Sequence, residues 1–129
     1  MAKLQQKIHE AVSRVLEEKE EIKAVGLLQR ELKGIKDMFT PAVVNSYWYV
    51  AITDQRVIFI KLTPLSEPDF SKTFKIPFSD VKLEKKTLSV QSTDSNLPKR
   101  FQLYFGTKWA SGLDKDAFVQ ALSTAKVNN

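Results

Sequence analysis

Apolar residues recur every three or four positions near the start of the chain. Leu4, Ile8, Val12, Val15 and Leu16 fall on one side of a helical projection of residues 2–20, with Ala11 beside them. Lys3, Lys7, Glu10, Arg14, Glu17 and Glu18 take the other side. The spacing predicts an amphipathic helix whose stripe has to be covered, because tertiary packing supplies most helical stability. Packing against the parent domain or a second copy is favoured over insertion into a membrane surface. The polar face is mixed in sign and the apolar face lacks aromatics. The stripe Leu4, Ile8, Val12, Val15 and Leu16 is therefore a candidate interface. Glu17, Glu18, Glu20 and Glu21 read as its solvated acidic end.

Beyond residue 22 the period shortens toward two. Ile22, Val25, Leu27, Leu28 and Leu32 suit either a helix or a strand, but Gly26 and Gly34 disfavour a long helix, so a strand is expected at about 23–32. A loop follows over 33–42. Tyr47 to Thr53 (YWYVAIT) and Arg56 to Leu62 (RVIFIKL) are aromatic and β-branched, hence strands. Only Asp54 and Gln55 separate them, which demands a tight antiparallel hairpin. Residues 63–69, with two prolines, read as an exposed loop. Phe74, Ile76 and Phe78 mark a strand that ends near Pro77. Val81 with Leu83, and Leu88 with Val90, mark two short strands or one bent one. A turn at 94–98 leads to a last strand through Phe101, Leu103 and Phe105. Ala117, Phe118, Ala121, Leu122 and Ala125 form the stripe of a C-terminal helix at about 115–126, with Asp114 as its N-cap.

Strands that alternate in this way have one wet and one dry face, and so few of them must curl to bury the dry one. The expected class is α+β, mainly β. It is a partly open antiparallel sandwich or barrel of about seven strands, capped by the C-terminal helix and preceded by an extra amphipathic helix. One domain is expected over 1–129, with an N-terminal extension at 1–21, the β-sandwich at 22–112 and the capping helix at 113–127.

This order resembles the pleckstrin-homology (PH) superfold, and specific words sharpen the likeness. Ala51 to Ile60 (AITDQRVIFI) resembles the "TDxR" hairpin of bacterial PH-like domains, the YokE-like group above all, with GRAM-type modules similar. Lys75 to Val81 (KIPFSDV) resembles the "IPYSDI" strand end that follows, with Phe78 and Val81 as departures. Phe101 to Phe105 and the helix around Phe118 and Leu122 complete a pattern covering about 22–125. The resemblance implies a fold and a general binding role, with no catalytic site to carry over. The words have structural uses. Thr53 and Asp54 can satisfy amides of the hairpin turn, and Arg56 can pair with Asp54 or with turn carbonyls. Pro77 stops a strand, and Asp80 can hold the next turn.

Composition narrows the chemistry. With no cysteine, there is no disulfide, thiolate metal site or cysteine nucleophile, and a reducing compartment fits best. Charges interrupt every N-terminal apolar stretch, so no signal peptide is expected. The longest apolar run, Tyr47 to Ile52, is too short for a transmembrane segment, and a cytoplasmic location is expected. His9 is the only histidine and no GxSxG, Walker A or GxGxxG pattern occurs, so an enzyme is disfavoured. Glu67 with Asp69, and Asp114 with Asp116, are weak pairs for a hard cation, better read as turn and cap residues. No cofactor is expected.

The net charge of +5 is unevenly placed. Residues 1–69 balance at ten basic and ten acidic, whereas 70–112 hold eight basic and three acidic. Lys72, Lys75, Lys82, Lys85, Lys86, Lys99 and Arg100 are therefore candidates for binding a polyanion or partner. Lys75, Lys82 and Arg100 would form one positive stripe if their strands were neighbours. The competing reading is a solubilising surface. Specific phosphoinositide recognition is disfavoured. It needs a basic cluster across the first hairpin, where only Arg30, Lys33 and Lys36 occur and Tyr47 to Thr53 has no basic residue. Nucleic acid is disfavoured too, because stacking needs exposed aromatics among the lysines. Trp109, if exposed, would be an interface anchor. The expected function is a non-catalytic PH-like binding or scaffolding module for protein–protein interaction or self-association, including a homo-oligomer through the N-terminal helix. The alternative is a peripheral binder of anionic membrane lipid or another polyanion through residues 70–112.

Overall fold

The computed structural model describes residues 3–31, 46–105 and 113–128. Helix α1 (Lys3–Ser13) is followed by strands β1 (Ile22–Arg30), β2 (Tyr47–Thr53), β3 (Val57–Leu62), β4 (Pro68–Ile76), β5 (Val81–Glu84), β6 (Thr87–Val90) and β7 (Arg100–Leu103), then helix α2 (Lys115–Asn128). A 3-10 turn, Phe78–Asp80, joins β4 to β5. The strands form one antiparallel sheet in the order β4-β3-β2-β1-β7-β6-β5. β4 and β5 are its two edges, so the sheet is not closed. The architecture is α+β, mainly β, and PH-like in layout, as the pattern of the chain predicts.

Burial differs between the two halves of the sheet. In β5–β7 it alternates: Val81, Leu88, Val90 and Phe101 point inward, while Lys82, Arg100 and Gln102 are exposed. In β2 and β3 nearly every residue is buried. Trp48, Val50, Ile52, Val57 and Phe59 join Phe101, Phe118 and Leu122 in one core. Tyr49, Ala51, Ile58, Ile60 and Leu62 form a second core with Val25, Leu27 and the α1 residues Ile8, Ala11 and Val12. A strand covered on both faces reads as a continuous apolar run, which accounts for the unbroken Tyr47–Ile52. The expectation of one wet face is therefore corrected for β1–β3, where α1 covers the outer face and α2 the inner one.

Two boundaries are corrected, and the alternative left open at 81–91 is settled. α1 ends at Ser13 rather than near residue 20, because the glutamate run beyond it is drawn to the β2–β3 hairpin. The expected loop at 63–69 is shorter, since β4 starts at Pro68, opposite Leu62. A proline fits there because it opens an edge strand and no ladder amide is needed. The 81–91 region is two strands, joined by a two-residue turn with Lys85 at φ 54°. The expected loop over 33–42 lies outside the described residues. The Asp114 cap is observed: its Oδ1 accepts from the Ala117 amide at 3.0 Å. Lys126 Nζ donates to the Val81 carbonyl and ties the end of α2 to edge strand β5.

Gly26 lies where Phe105 and the α2 residue Phe118 close on the sheet. A Cβ built there would meet Phe105 Cζ at 2.7 Å, and Phe118 and Val50 side-chain atoms at 3.3 Å. Gly26→Ala is expected to destabilise the domain by about 1–3 kcal/mol through overpacking, despite the entropic gain of losing a glycine. Urea denaturation would show a lower midpoint, and an unchanged or higher one would contradict this packing. Ile8→Ala, which empties a fully buried site under α1, is expected to cost about 2–4 kcal/mol.

Candidate functional site

Two constellations stand out, one at each end of the hairpin strands. The first is the Thr53–Arg56 turn. Thr53 N donates to the Arg56 carbonyl at 3.0 Å, closing it. Thr53 Oγ1 accepts from the Gln55 and Arg56 amides at 3.1 and 3.0 Å and donates to Glu20 Oε2 at 2.6 Å. Glu20 has a fully buried side chain, and Arg56 Nε lies 3.2 Å from its Oε2 as an ion pair without hydrogen-bond alignment. Glu20 Oε1 accepts from the Glu17 amide at 2.9 Å. Asp54 Oδ1 accepts from the Glu21 amide at 2.9 Å, and its own amide donates to the Glu21 carbonyl. Lys75 Nζ reaches Glu17 at 2.8 Å, and this contact holds the Glu17 carboxyl below its ordinary range.

Thr53, Asp54 and Arg56 are thus fold-setting, Thr53 by the expected route and the other two by a different one. Thr53, not Asp54, holds the turn amides. Asp54 and Arg56 grip the segment after α1. Glu20 is no solvated helix end; it is the buried carboxylate that this hairpin receives. The stripe residues Ile8 and Val12 are buried on the chain's own sheet, and Leu4, Val15 and Leu16 pack at its margin. As an interface for another molecule, that stripe is already used.

The second constellation is a cleft of about 630 Å³ at the opposite end of β2 and β3. Arg30 and Glu31 come from the end of β1, Trp48 from the start of β2, Lys61 from β3, Lys72 from β4, Ser95, Asn96, Pro98 and Lys99 from the β6–β7 connection, and Arg100 from the start of β7. Among the described residues, five cationic side chains and one carboxylate face this space. Arg100 Nε pairs with Glu31 at 3.3 Å. Lys61 Nζ lies 5.9 Å from the centre of the Trp48 ring. Burial, then the neighbouring Lys72 and Arg30 charges, push the Lys61 ammonium below the ordinary lysine value, with Asp69 opposing.

Local structure aims these groups. Ile60 pairs with Thr73 but Lys61 pairs with Asp69, so residues 70–72 form a bulge in β4. Bulges re-aim side chains, and Lys72 lies in this one. The bulge is held by Asp69 Oδ1, which accepts from Ser71 N at 3.1 Å and Ser71 Oγ at 2.6 Å. Those bonds, above all, hold the Asp69 carboxyl below its usual range. In the β6–β7 connection Asp94 Oδ1 accepts from the Asn96 amide at 2.9 Å, and buried Leu97 anchors the segment.

The structure divides the predicted basic residues. Lys72, Lys99 and Arg100 meet in the cleft. Lys75 is committed to Glu17. Lys82 pairs with Glu84 at 3.1 Å on edge strand β5, and Lys85 and Lys86 occupy the exposed β5–β6 turn. The single stripe is corrected, because β4 and β5 lie at opposite edges of the sheet. One row survives: Lys82 pairs across to Ser89, and Ser89 to Arg100. Trp109 lies outside the described residues, as do Lys33 and Lys36. Sequence reasoning missed Lys61, buried in the pattern of β3, and set Arg30 aside. The signal available was that both stand at strand ends facing the same loops. Among the described residues no group of three or more histidine, cysteine or carboxylate side chains is placed to hold a metal ion.

Neither a protein-family model, nor a curated protein, nor a solved structure matches this chain.

The hairpin constellation makes a stability prediction. Glu20→Ala leaves Arg56 and Thr53 without their carboxylate and is expected to cost about 2–3 kcal/mol, below the range for fully buried pairs because Arg56 is partly exposed. Glu20→Gln keeps an oxygen for Thr53 and should cost less. Equal losses in thermal denaturation would show that the charge plays no part.

Proposed function

We propose that this protein is a non-catalytic, PH-like binding module that receives an anionic phosphate- or sulfate-bearing group in the cleft between the ends of β1, β3 and β4 and the β6–β7 connection. One observation carries the reading: Arg30, Lys61, Lys72, Lys99 and Arg100 converge on one concave surface. Charge-assisted hydrogen bonds from several cations to one anion are strong and directional. The Lys61 shift supports the same reading, since crowded like charges are relieved by a bound anion. The TDxR and IPFSDV words support placement among bacterial PH-like domains of the YokE-like kind. Self-association through the N-terminal stripe loses its motive, because the stripe is covered within the chain. Among the described residues no helix is long and apolar enough to cross a membrane.

A sulfated disaccharide, whose charge is constant over the relevant pH range, is a suitable test ligand. Its binding is expected to change Trp48 fluorescence, because Lys61 stands over that ring. At low salt, Lys61→Gln and Arg100→Gln should each weaken binding about 5–10-fold, whereas Lys85→Gln, outside the cleft, should not. Affinities insensitive to both cleft substitutions would refute the reading.

Binding should also take up protons. An anion favours the charged form of Lys61 and raises its lowered pKa toward the ordinary value. Affinity is therefore expected to fall as pH rises through the lowered pKa of Lys61. Lys61→Gln should flatten that part of the profile in calorimetric titrations, and an unflattened profile would assign the dependence elsewhere.

A further inference from the structure

A second depression, of about 630 Å³, adjoins the cleft beside edge strand β4. Two elements run through both. Along β4, Lys72 lines the cleft and Ile76, four residues on, lines the depression. In the β6–β7 connection, Ser95 and Asn96 line the cleft, Gln91, Ser92 and Thr93 line the depression, and Lys99 lines both. The chemistry changes from one to the other. The cleft gathers cations, whereas Ile76 and Val90, both buried, give the depression an apolar floor. Gln91 and Thr93 are exposed at its rim, with an amide and a hydroxyl to offer. Asp80, from the 3-10 turn, adds a carboxylate. The rim is held in place by the backbone. Gln91 N donates to the Asp80 carbonyl and Val90 N to the Lys99 carbonyl, both at 2.8 Å. Ser92 Oγ accepts from the Asp94 amide at 3.1 Å.

We infer that the cleft and the depression form one groove for an anionic oligosaccharide, with an anion-bearing sugar in the cleft and an uncharged neighbouring sugar over Ile76 and Val90. The inference rests on the cleft reading and adds the class of molecule that carries the anion. A sugar ring has apolar C–H faces and a hydroxyl edge, which suits an apolar floor with a few placed polar groups. Hydroxyls both donate and accept, as do the Gln91 amide and the Thr93 hydroxyl. Asp80 accepts from hydroxyls but repels a second anion, so the groove favours interrupted negative charge over continuous charge. An acidic polypeptide would carry its next carboxylates toward Asp80. Added to β4 as a strand, it would also meet the bulge at 70–72, which breaks the ladder beside the cleft. A nucleic acid finds no stacking face on Trp48, which is 1% exposed.

Calorimetric titration of the full chain with a sulfated monosaccharide, a singly sulfated disaccharide and polyglutamate tests the inference. The disaccharide should bind about 10-fold more tightly than the monosaccharide, the second sugar adding one or two hydrogen bonds. Gln91→Ala and Thr93→Val should each weaken disaccharide binding about 3–5-fold and leave the monosaccharide unchanged. As exposed surface substitutions they leave folding intact. Arg100→Gln, in the cleft, should weaken both sugars. Equal affinity for the two sugars, both weakened by Arg100→Gln, would overturn the inference while the cleft reading stands. So would a tighter disaccharide whose affinity neither Gln91→Ala nor Thr93→Val alters, or polyglutamate bound more tightly than the disaccharide. Failure of the wild-type chain to bind either sulfated sugar would remove the cleft reading itself.

Discussion

Strands β1–β3 carry apolar side chains on both faces, and water has to be kept from both. Along β2 the alternation sends Trp48, Val50 and Ile52 one way and Tyr49 and Ala51 the other, and all five are buried. A curled sheet can cover only its concave side, with α2 filling what the curl leaves open. The convex side needs a separate cover, which the chain supplies from before the sheet as α1. The N-terminal helix is therefore part of the folding unit. Ile8, Ala11 and Val12 lie over Val25, Leu27, Tyr49, Ala51, Ile58 and Ile60, and beyond Ser13 the side chains of Val15 and Leu16 pack at the margin of the same cluster.

The segment between α1 and β1 is secured by charge rather than by apolar packing. A buried carboxylate is costly unless it is paired and hydrogen-bonded. Glu20 meets that condition only where Thr53, Arg56 and the Glu17 amide converge. One geometry satisfies it, so the lock fixes where α1 enters its groove. The same hydroxyl that completes the hairpin turn also donates to Glu20. The turn and the helical cover are thus coupled through a single oxygen of Thr53.

Much of this was legible in the chain, and the exceptions have physical causes. Each strand and the capping helix follow from periodicity and turn chemistry, because their burial is decided locally by residues such as Asp54, Pro77 and Asp114. The partners of Glu20 and Arg56 were not legible, since a contact across 36 positions leaves no mark on local pattern. The cleft was half legible. Lys72, Lys99 and Arg100 stood out through their share of the charge excess. Arg30 and Lys61 come from a charge-balanced region and join them only through the antiparallel order of β1, β3 and β4. Lys75 and Lys82 do not share a stripe, because their strands, β4 and β5, are opposite edges of the sheet.

The two ends of the hairpin strands treat charge in contrasting ways. At the Thr53–Arg56 end a buried charge is matched: Glu20 has a guanidinium, a hydroxyl and an amide around it. At the other end, among the described residues, cations gather around Lys61 with one lining carboxylate, and burial together with this crowding makes Lys61 less basic. Like charges at this spacing oppose folding, and a solvated surface could be built without bringing them together. Their placement depends on ordered features, the Asp69–Ser71 bulge and the Leu97-anchored connection, so it is a product of the fold and not of loose side chains. The fold thus matches its buried charge at one end of the hairpin strands and gathers cations at the other, which is why we propose the second as an anion-binding site.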